Sequence, residues 1–233
     1  MMIPVAVLAG GIGTRMRPWT EKIPKSLLEV AGEPFLAHQL RSLASQGIEK
    51  VILCVGHLAS QIEKFAGDGS DFGLQVSYSR EGTRLFGTGG ALRKALPLLG
   101  EEFFVLYGDS WLEIDYSKVF KAFKNSGLPA LMTVFHNQGR WDTSNVEIFQ
   151  GQIKLYSKKN RNKNMTHIDY GLGILTKHVL DLYPVQQAFD LAEIYEQLSL
   201  HQKLACFEAT KRFYEIGSPS GLEELNQKFG DKL

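Results

Sequence analysis

The residues best suited to chemistry lie in the first 25 positions of the chain. An apolar run at positions 3–8 predicts a buried strand, and it leads into positions 10–13, where three of the four residues are glycine. Glycines allow backbone N–H groups to approach an anion without a Cβ in the way. Arg15 and Lys25 follow, and their side chains add positive charge that suits phosphate oxygens. The pattern predicts a loop that binds the phosphates of a nucleotide.

Two common phosphate-binding motifs do not match this segment. A P-loop places its lysine directly after a glycine, whereas Lys25 follows Pro24 here. The dinucleotide-binding fingerprint needs another glycine where a helix begins, at the position that Met16 occupies. A glycine-rich surface turn after a strand is the structural alternative that the residues leave open.

Two acidic residues stand where predicted strands end. Asp109 follows a glycine directly after the strand predicted at 103–107, and Glu215 lies in a strand-like segment at 212–216. Carboxylate oxygens are ligands that Mg²⁺ prefers, together with the phosphate oxygens of a nucleotide. Asp109 is therefore a candidate metal ligand, with a purely structural role as the alternative, and Glu215 is a second acidic residue close to a strand end.

The composition is that of an ordinary globular protein. Of 233 residues, 44% are hydrophobic and 22% are charged, and 26 basic against 25 acidic side chains leave a net charge of +1. This balance does not favour nucleic acid or an anionic membrane as a partner. The apolar runs are too short for a membrane span, and Cys54 and Cys206 lack the paired spacing of disulfide or zinc sites. We expect a cytoplasmic protein.

The first 135 residues alternate between short apolar runs and segments with helical periodicity. Such alternation is typical of a mostly parallel sheet with helices on both faces. Ligands bind outside the carboxyl ends of the strands in such sheets, so the glycine-rich loop and Asp109 are expected to face one site. The strands are predicted at 3–8, 51–55, 75–78, 103–107 and 130–135, and the helices at 34–45, 59–65, 89–98 and 116–125.

The second half of the chain has a different pattern. A hairpin is predicted from 146–149 and 153–156, and further strands at 168–175, 204–209 and 212–216. Helices are predicted at 177–183, 191–201 and 218–229, with Asp190 and Ser218 as N-caps. Because no linker-like stretch separates the halves, we expect one α/β domain over residues 1–233.

The first motif and the residues after it resemble a known family. Residues 10–18 and 24–25 match the signature G-G-x-G-T-R-x-x-P followed by P-K, which marks the sugar-1-phosphate nucleotidylyltransferases, or nucleotide-sugar pyrophosphorylases. The chain is most similar to short bacterial members such as the heptose- and mannose-1-phosphate guanylyltransferases. One difference is Ser26, where the family usually has proline. The resemblance implies a single Rossmann-like α/β domain of the nucleotide-diphospho-sugar transferase type.

The resemblance also implies an activity and a division of the chain. The expected reaction converts a nucleoside triphosphate, GTP or UTP, and a sugar 1-phosphate into a nucleotide sugar and pyrophosphate, with Mg²⁺ as cofactor. Residues 1–135 would bind the nucleotide and residues 136–233 the sugar phosphate. The product would supply cell-surface glycans such as lipopolysaccharide or capsule. The oligomeric state stays open, with a homodimer as one alternative.

Family positions carry over to individual residues of this sequence. The resemblance implies Arg15 and Lys25 as catalytic residues and Asp109 and Glu215 as metal ligands. Nucleotide binding is implied for Leu8, Ala9, Gly10, Gly11, Gly13, Thr14, Glu81, Gly87 and Thr88. Sugar-phosphate binding is implied for Asn145, Glu147, Lys158 and Asp169. The glycine cluster at 87–90 is expected to leave a flat backbone surface for the base and ribose.

Two other functions remain open from the sequence. A related enzyme could activate a different phosphorylated acceptor such as phosphocholine, and a non-catalytic protein could bind nucleotide sugars as a regulatory subunit. The joint presence of Arg15, Lys25 and Asp109 favours a catalytic protein, since a protein that only binds could lack them.

Overall fold

The computed structural model describes residues 2–82, 84–185 and 187–230. The strands are β1 (Val5–Leu8), β2 (Glu29–Val30), β3 (Glu33–Pro34), β4 (Lys50–Val55), β5 (Gln75–Arg80), β6 (Glu102–Tyr107), β7 (Ser110–Trp111), β8 (Ala130–His136), β9 (Val146–Phe149), β10 (Gln152–Tyr156), β11 (His167–Thr176), β12 (Leu204–Ala209) and β13 (Tyr214–Glu215). The helices are α1 (Phe35–Ser45), α2 (Ala59–Ala66), α3 (Gly87–Leu99), α4 (Tyr116–Ser126), α5 (Lys177–Asp181), α6 (Leu191–Leu200) and α7 (Pro219–Gly230). Among these helices, none has the length and apolar character that crossing a membrane requires.

One large sheet runs through the described residues. Its order is β10-β9-β11-β6-β1-β4-β5, with β8 beside β11 and β12 beside β8. β1 pairs in parallel with β4 and β6, β4 with β5, and β8 with β12. β11 runs antiparallel to β6, β8 and β9, and β10 runs antiparallel to β9. All of these strands except β10 and β11 therefore point in one direction, and the predicted mostly parallel sheet is confirmed.

Helices cover both faces of this sheet because successive strand residues face opposite sides. In β1, Val5 and Val7 pack into one core with α1, α2 and α4, whereas Ala6 packs into a second core with α3, α5 and α6. Smaller contacts around Phe35 and Ile216 hold α7 in place. The alternation that the sequence predicts thus produces two cores, one on each side of a shared sheet.

The helices begin and end close to the predicted positions. Asp190 caps α6 as predicted: its carboxylate accepts a hydrogen bond from the Ala192 N–H at 2.9 Å, and Glu193 closes a capping box. At the start of α7, Ser218 Oγ accepts a hydrogen bond from the Gly221 N–H at 3.1 Å. Two predictions were too long, because α5 ends at Asp181 and β13 comprises only Tyr214–Glu215.

The strand directions bring distant loops to one edge of the sheet. β1, β6 and β8 end at this edge, and β11 begins there because it runs against its neighbours. The glycine-rich loop after β1, Asp109 after β6 and the first residues of β11 are therefore neighbours in space. The residues predicted to bind the nucleotide and those predicted to bind the sugar phosphate both have members at this edge.

Candidate active site

A cleft of about 220 Å³ opens at this edge, beside the glycine-rich loop and the start of α3. It is lined by Leu8, Ala9, Gly10, Gly11, Lys25, Ser26, Cys54, Glu81, Leu85, Gly87, Thr88, Ala91, Tyr107, Gly108 and Asp109. The lining comes from five separate segments of the chain, and it includes most of the residues predicted to bind nucleotide. The cleft is therefore the candidate nucleotide site.

Close packing at Gly13 shapes the glycine-rich loop. Gly13 has a φ of +65°, and a Cβ there would lie 2.9 Å from the Thr20 side chain and 3.3 Å from Lys25 Cβ. Thr20 Oγ1 also donates to the Gly13 carbonyl oxygen at 2.8 Å. Because only glycine combines this conformation with such near neighbours, Gly13 brings the Lys25 segment to the loop. Thr14 begins a short 3₁₀ turn just beyond it, and a Cβ at Gly11 would meet no atom within 4 Å.

Lys25 and Asp109 form an ion pair at the cleft. Lys25 Nζ lies 2.5 Å from Asp109 Oδ2, although the two residues are 84 positions apart in the sequence. Only 21% and 22% of their side-chain surfaces are exposed, so the pair is partly shielded from water. The contact places a positive charge beside a predicted metal ligand.

The two predicted metal ligands are brought together by the small sheet of β7 and β13. The Ile216 N–H donates to the Asp109 carbonyl oxygen at 2.9 Å, next to the antiparallel β7–β13 pairing. The Glu215 carboxylate accepts hydrogen bonds from the Gly217 N–H at 2.5 Å and from Ser218 Oγ at 2.7 Å. These two bonds fix the orientation of Glu215 toward the end of β6.

Arg15 completes this cluster of charges around Gly217. A Cβ built at Gly217 would lie 2.9 Å from Arg15 Nη2 and 3.3 Å from Asp109 Oδ2, and it would overlap the Glu215 carboxylate. In the described part of the chain, no three His, Cys, Asp or Glu side chains are grouped as a metal site. Mg²⁺ is commonly held by one or two carboxylates, water and substrate phosphates, and a pair of carboxylates fits that mode.

The glycine cluster at the start of α3 has a packing role that the sequence did not predict. A Cβ at Gly87 would lie 2.6 Å from the Phe189 carbonyl oxygen, and a Cβ at Gly89 would overlap the Phe189 ring. The N–H groups of Gly89 and Gly90 both donate to that carbonyl oxygen, at 3.1 and 3.3 Å. The missing side chains therefore admit the segment before α6, and the surface for base and ribose stays a prediction. Gly87 and Thr88 still line the cleft.

Residues predicted to bind the sugar phosphate gather at the start of β11. The Asp169 N–H donates to Asn145 Oδ1 at 3.0 Å, and Asp169 Oδ1 accepts from the Gly171 N–H at 3.0 Å. Tyr107 Oη donates to Asp169 Oδ2 at 3.3 Å. Burial raises the pKa of Asp169, and the nearby positive charge of Lys158 acts in the opposite direction.

Lys158 and Glu147, which are also predicted to bind the sugar phosphate, contact other residues. Lys158 Nζ lies 3.8 Å from Asp190 Oδ1, and Asp190 also accepts a hydrogen bond from Thr88 Oγ1 at 2.9 Å. Lys158 is therefore linked to the nucleotide cleft through Asp190. Glu147 instead accepts a hydrogen bond from Asn162 Nδ2 at 2.9 Å, within the basic stretch that follows β10.

Comparison with protein-family models decides the family. The model described as nucleotidyl transferase matches residues 5–230, which is nearly the whole chain. The chain belongs to the nucleotidyl transferase family. The resemblance read from the glycine-rich motif is confirmed by this match.

Individual relatives of this nucleotidyl transferase agree with that result. The chain is 30% identical over 241 residues to the mannose-1-phosphate guanylyltransferase catalytic subunit beta of Drosophila melanogaster, a match that covers 97% of this chain and 65% of the relative. It therefore spans just under two thirds of that relative's length. Identity is 29% over 213 residues to the D-glycero-alpha-D-manno-heptose 1-phosphate guanylyltransferase of Campylobacter jejuni, covering 91% of this chain and 94% of the relative.

A solved structure also resembles this nucleotidyl transferase over its full length. HddC from Yersinia pseudotuberculosis, in a crystal structure with GMP-PN, superposes with a TM-score of 0.80 at 25% identity. The match covers 98% of this chain and all of that one. The predicted fold of the nucleotide-diphospho-sugar transferase type is confirmed.

Burial alters the acid–base properties of two groups that line the cleft of the nucleotidyl transferase. Burial raises the pKa of Glu81, while a hydrogen bond from the Phe86 N–H at 2.6 Å and the charge of Lys94 lower it. Burial also raises the pKa of the Cys54 thiol to about 12, so the thiol stays neutral. The other carboxylate oxygen of Glu81, Oε2, lies close to the glycine-rich loop at Gly10.

Several residues of the cleft were not predicted from the sequence, and Tyr107 and Ser26 are two of them. Tyr107 lines the cleft and contacts Asp169. The feature of the sequence that could have revealed it is its position directly before Gly108 and Asp109 at a strand end. Ser26 lines the cleft with a buried Oγ that has no hydrogen-bond partner among the described residues. The only feature of the sequence that pointed to Ser26 was that the family usually has proline at this position.

Proposed function

We propose that this nucleotidyl transferase converts a nucleoside triphosphate and a sugar 1-phosphate into a nucleotide sugar and pyrophosphate. The observation that carries the proposal is the convergence of Arg15, Lys25, Asp109 and Glu215 beside one cleft. These charges suit a triphosphate accompanied by a divalent cation. The names of the relatives, guanylyltransferases for mannose 1-phosphate and heptose 1-phosphate, support the same reaction class.

Catalysis would rest on positioning and on charge stabilisation. An oxygen of the sugar phosphate attacks the α-phosphorus in line, the bond to the bridging oxygen breaks, and pyrophosphate leaves with that oxygen. Lys25 would stabilise the charge that develops on the α-phosphate, and Arg15 would hold the leaving pyrophosphate. Mg²⁺, when bound to Asp109 and Glu215, would neutralise phosphate charge.

Glu81 favours GTP as the nucleotide. An ionised carboxylate only accepts hydrogen bonds, and guanine offers two neighbouring donors, N1–H and N2–H. Uracil offers a single N3–H between two carbonyl oxygens, which a carboxylate would repel. Because the Phe86 N–H already binds Glu81 Oε1, the side chain is held in one orientation at the cleft.

The acceptor would bind beside β11. Asp169 and Asn145 supply oxygens that accept hydrogen bonds from sugar hydroxyls, and Lys158 supplies positive charge for the phosphate. A sugar 1-phosphate combines both features in one molecule. We assign the product to cell-surface glycan synthesis in the cytoplasm, where nucleoside triphosphates are available.

A matrix of substrates tests the proposal. Pyrophosphate release is measured for GTP, UTP, ATP and CTP against mannose, heptose, glucose and N-acetylglucosamine 1-phosphates, with phosphocholine as an added acceptor. We expect release only with Mg²⁺ and a sugar 1-phosphate together, fastest with GTP. Turnover with phosphocholine alone would support the alternative acceptor. Binding of nucleotide sugars without any turnover would support a regulatory protein.

Glu81→Gln tests the base within the same matrix. We expect the ratio of kcat/KM for GTP over UTP to fall by about tenfold or more, because the amide replaces one acceptor by a donor. Glu49→Gln, at an exposed position, is the matched control and should leave the ratio unchanged. An unchanged ratio in Glu81→Gln would remove Glu81 from base recognition.

A further inference from the structure

Tyr107 lies where the nucleotide cleft meets the acceptor residues. Its side chain lines the cleft directly before Gly108 and Asp109, at the end of β6. Its hydroxyl reaches the neighbouring strand β11 and donates to Asp169 Oδ2 at 3.3 Å. One side chain therefore contacts both halves of the candidate site.

The backbone of β11 is shaped to admit this contact. Its pairing register with β8 shifts between Asp169 and Gly173, an irregularity of the kind that changes the direction of side chains. Gly171, inside the shift, has a φ of +104°, and a Cβ there would lie 3.1 Å from Ser110 Oγ and in ordinary contact with the Tyr107 ring. Because a larger residue would be strained in this conformation, Gly171 permits the irregularity beside Tyr107.

Asp169 is a half-buried carboxylate, and its shielded oxygens need hydrogen-bond donors. Burial raises its pKa, whereas Lys158, the Gly171 N–H and the Tyr107 hydroxyl all lower it. A phenol carries its proton at neutral pH, so the Tyr107 hydroxyl is the donor in its contact with Asp169. Leaving a buried acceptor without its partner costs more than a typical hydrogen bond contributes.

We propose that Tyr107 is a positioning residue for the acceptor, whose hydroxyl holds the Asp169 carboxylate in the orientation that receives sugar hydroxyls. The assignment rests on the proposed function, because Asp169 has this role only if a sugar 1-phosphate is the acceptor. Tyr107 acts through Asp169, so its hydroxyl affects affinity for the acceptor and not the charges around the α-phosphate.

Tyr107→Phe removes only the hydroxyl and keeps the ring in the cleft. We expect KM for the sugar 1-phosphate to rise about tenfold, with kcat and the Kd of the nucleotide within about twofold of wild type. Tyr156→Phe is the matched control. Tyr156 is also buried near Asp169, but its Oη has no hydrogen-bond partner among the described residues. All three constants should stay at wild-type values in Tyr156→Phe.

Asp169→Asn provides the second arm of the experiment. Alone it should raise the acceptor KM, and adding Tyr107→Phe to it should raise KM by less than about twofold more, because both residues act through one contact. A general loss of packing would instead give additive effects.

The outcomes distinguish a failure of the role of Tyr107 from a failure of the proposed function. A wild-type KM in Tyr107→Phe, or additive effects in the double variant, would overturn the role of Tyr107 while leaving the proposed function intact. If the wild-type protein turns over no sugar 1-phosphate, the proposed function fails and the role of Tyr107 fails with it.

Discussion

Lys25→Ala separates catalysis from simple nucleotide binding. Lys25 Nζ lies 2.5 Å from Asp109 Oδ2, and the two side chains are only 21% and 22% exposed. If the ammonium meets charge that develops on the α-phosphate, it stabilises the transition state more than the ground state. We expect kcat to fall about 100-fold or more, the scale of losing one electrostatic stabiliser. Nucleotide affinity should fall much less, because the backbone loop and Arg15 remain.

The same substitution should change how the site binds a divalent cation. Two unit charges about 4 Å apart attract by about 4 kcal/mol at an effective dielectric constant of about 20, and dehydration offsets much of that energy. A cation that approaches Asp109 must displace the Lys25 ammonium or share the carboxylate with it. Removing the ammonium should therefore tighten Mn²⁺ binding without nucleotide by about tenfold, which corresponds to about 1.4 kcal/mol.

Three measurements on the same variants test this reasoning. Electron paramagnetic resonance titration gives Mn²⁺ affinity, calorimetry gives nucleotide affinity, and pyrophosphate release gives kcat. Lys22→Ala, at an exposed lysine of the same segment, is the control and should change none of them. Lys25→Arg should keep the wild-type Mn²⁺ affinity because the charge stays, yet restore kcat poorly, because a planar guanidinium does not replace a compact ammonium.

Two results would refute the reasoning on Lys25. Unchanged kcat at saturating nucleotide, together with a collapse of nucleotide affinity, would make Lys25 a binding residue only. Unchanged Mn²⁺ affinity in Lys25→Ala would show that the ion pair with Asp109 does not compete with a cation.

Two further substitutions test the metal ligand and the packing at α3. Asp109→Asn should abolish pyrophosphate release and leave the melting temperature within about 3 °C of wild type, because a strand-end carboxylate is not a core group; an unfolded variant would indicate a structural role instead. Gly89→Ala should lower the melting temperature by about 5 °C, since its Cβ would overlap the Phe189 ring. Gly11→Ala is the control, and it should keep the wild-type melting temperature because a Cβ there would have no atom within 4 Å. Equal melting temperatures of the two variants, measured by circular dichroism, would contradict the packing argument.

Local features of the sequence predicted the elements well because short-range physics determines them. The alternation of apolar residues predicts β1, β4 and β6, since a buried strand needs an apolar run and a turn after it. Asp190 was recognisable as the N-cap of α6 because its side chain bonds to the next turn of the same chain. The ends of α5 and β13 were less predictable, since neighbouring segments rather than local preference decide where they stop.

The candidate site was predictable as a list of residues and not as an arrangement. Motif spacing identified Arg15, Lys25 and Asp109 from the sequence, because phosphate and metal chemistry restricts the residue types that can serve. Their contacts could not be predicted in this way. The ion pair of Lys25 with Asp109 joins residues 84 positions apart, and it depends on how the loop after β1 folds against the end of β6.

The fold class, the family motif and the residue types of the site could be predicted from the sequence, because each depends on local pattern or composition. The three-dimensional arrangement was needed to show that Glu215 lies beside Asp109, that the glycines of α3 admit Phe189, and that Tyr107 contacts Asp169. These contacts depend on strand register and on the close approach of segments distant in the chain. Register follows from the packing of whole faces against the core, so no single stretch of sequence contains that information.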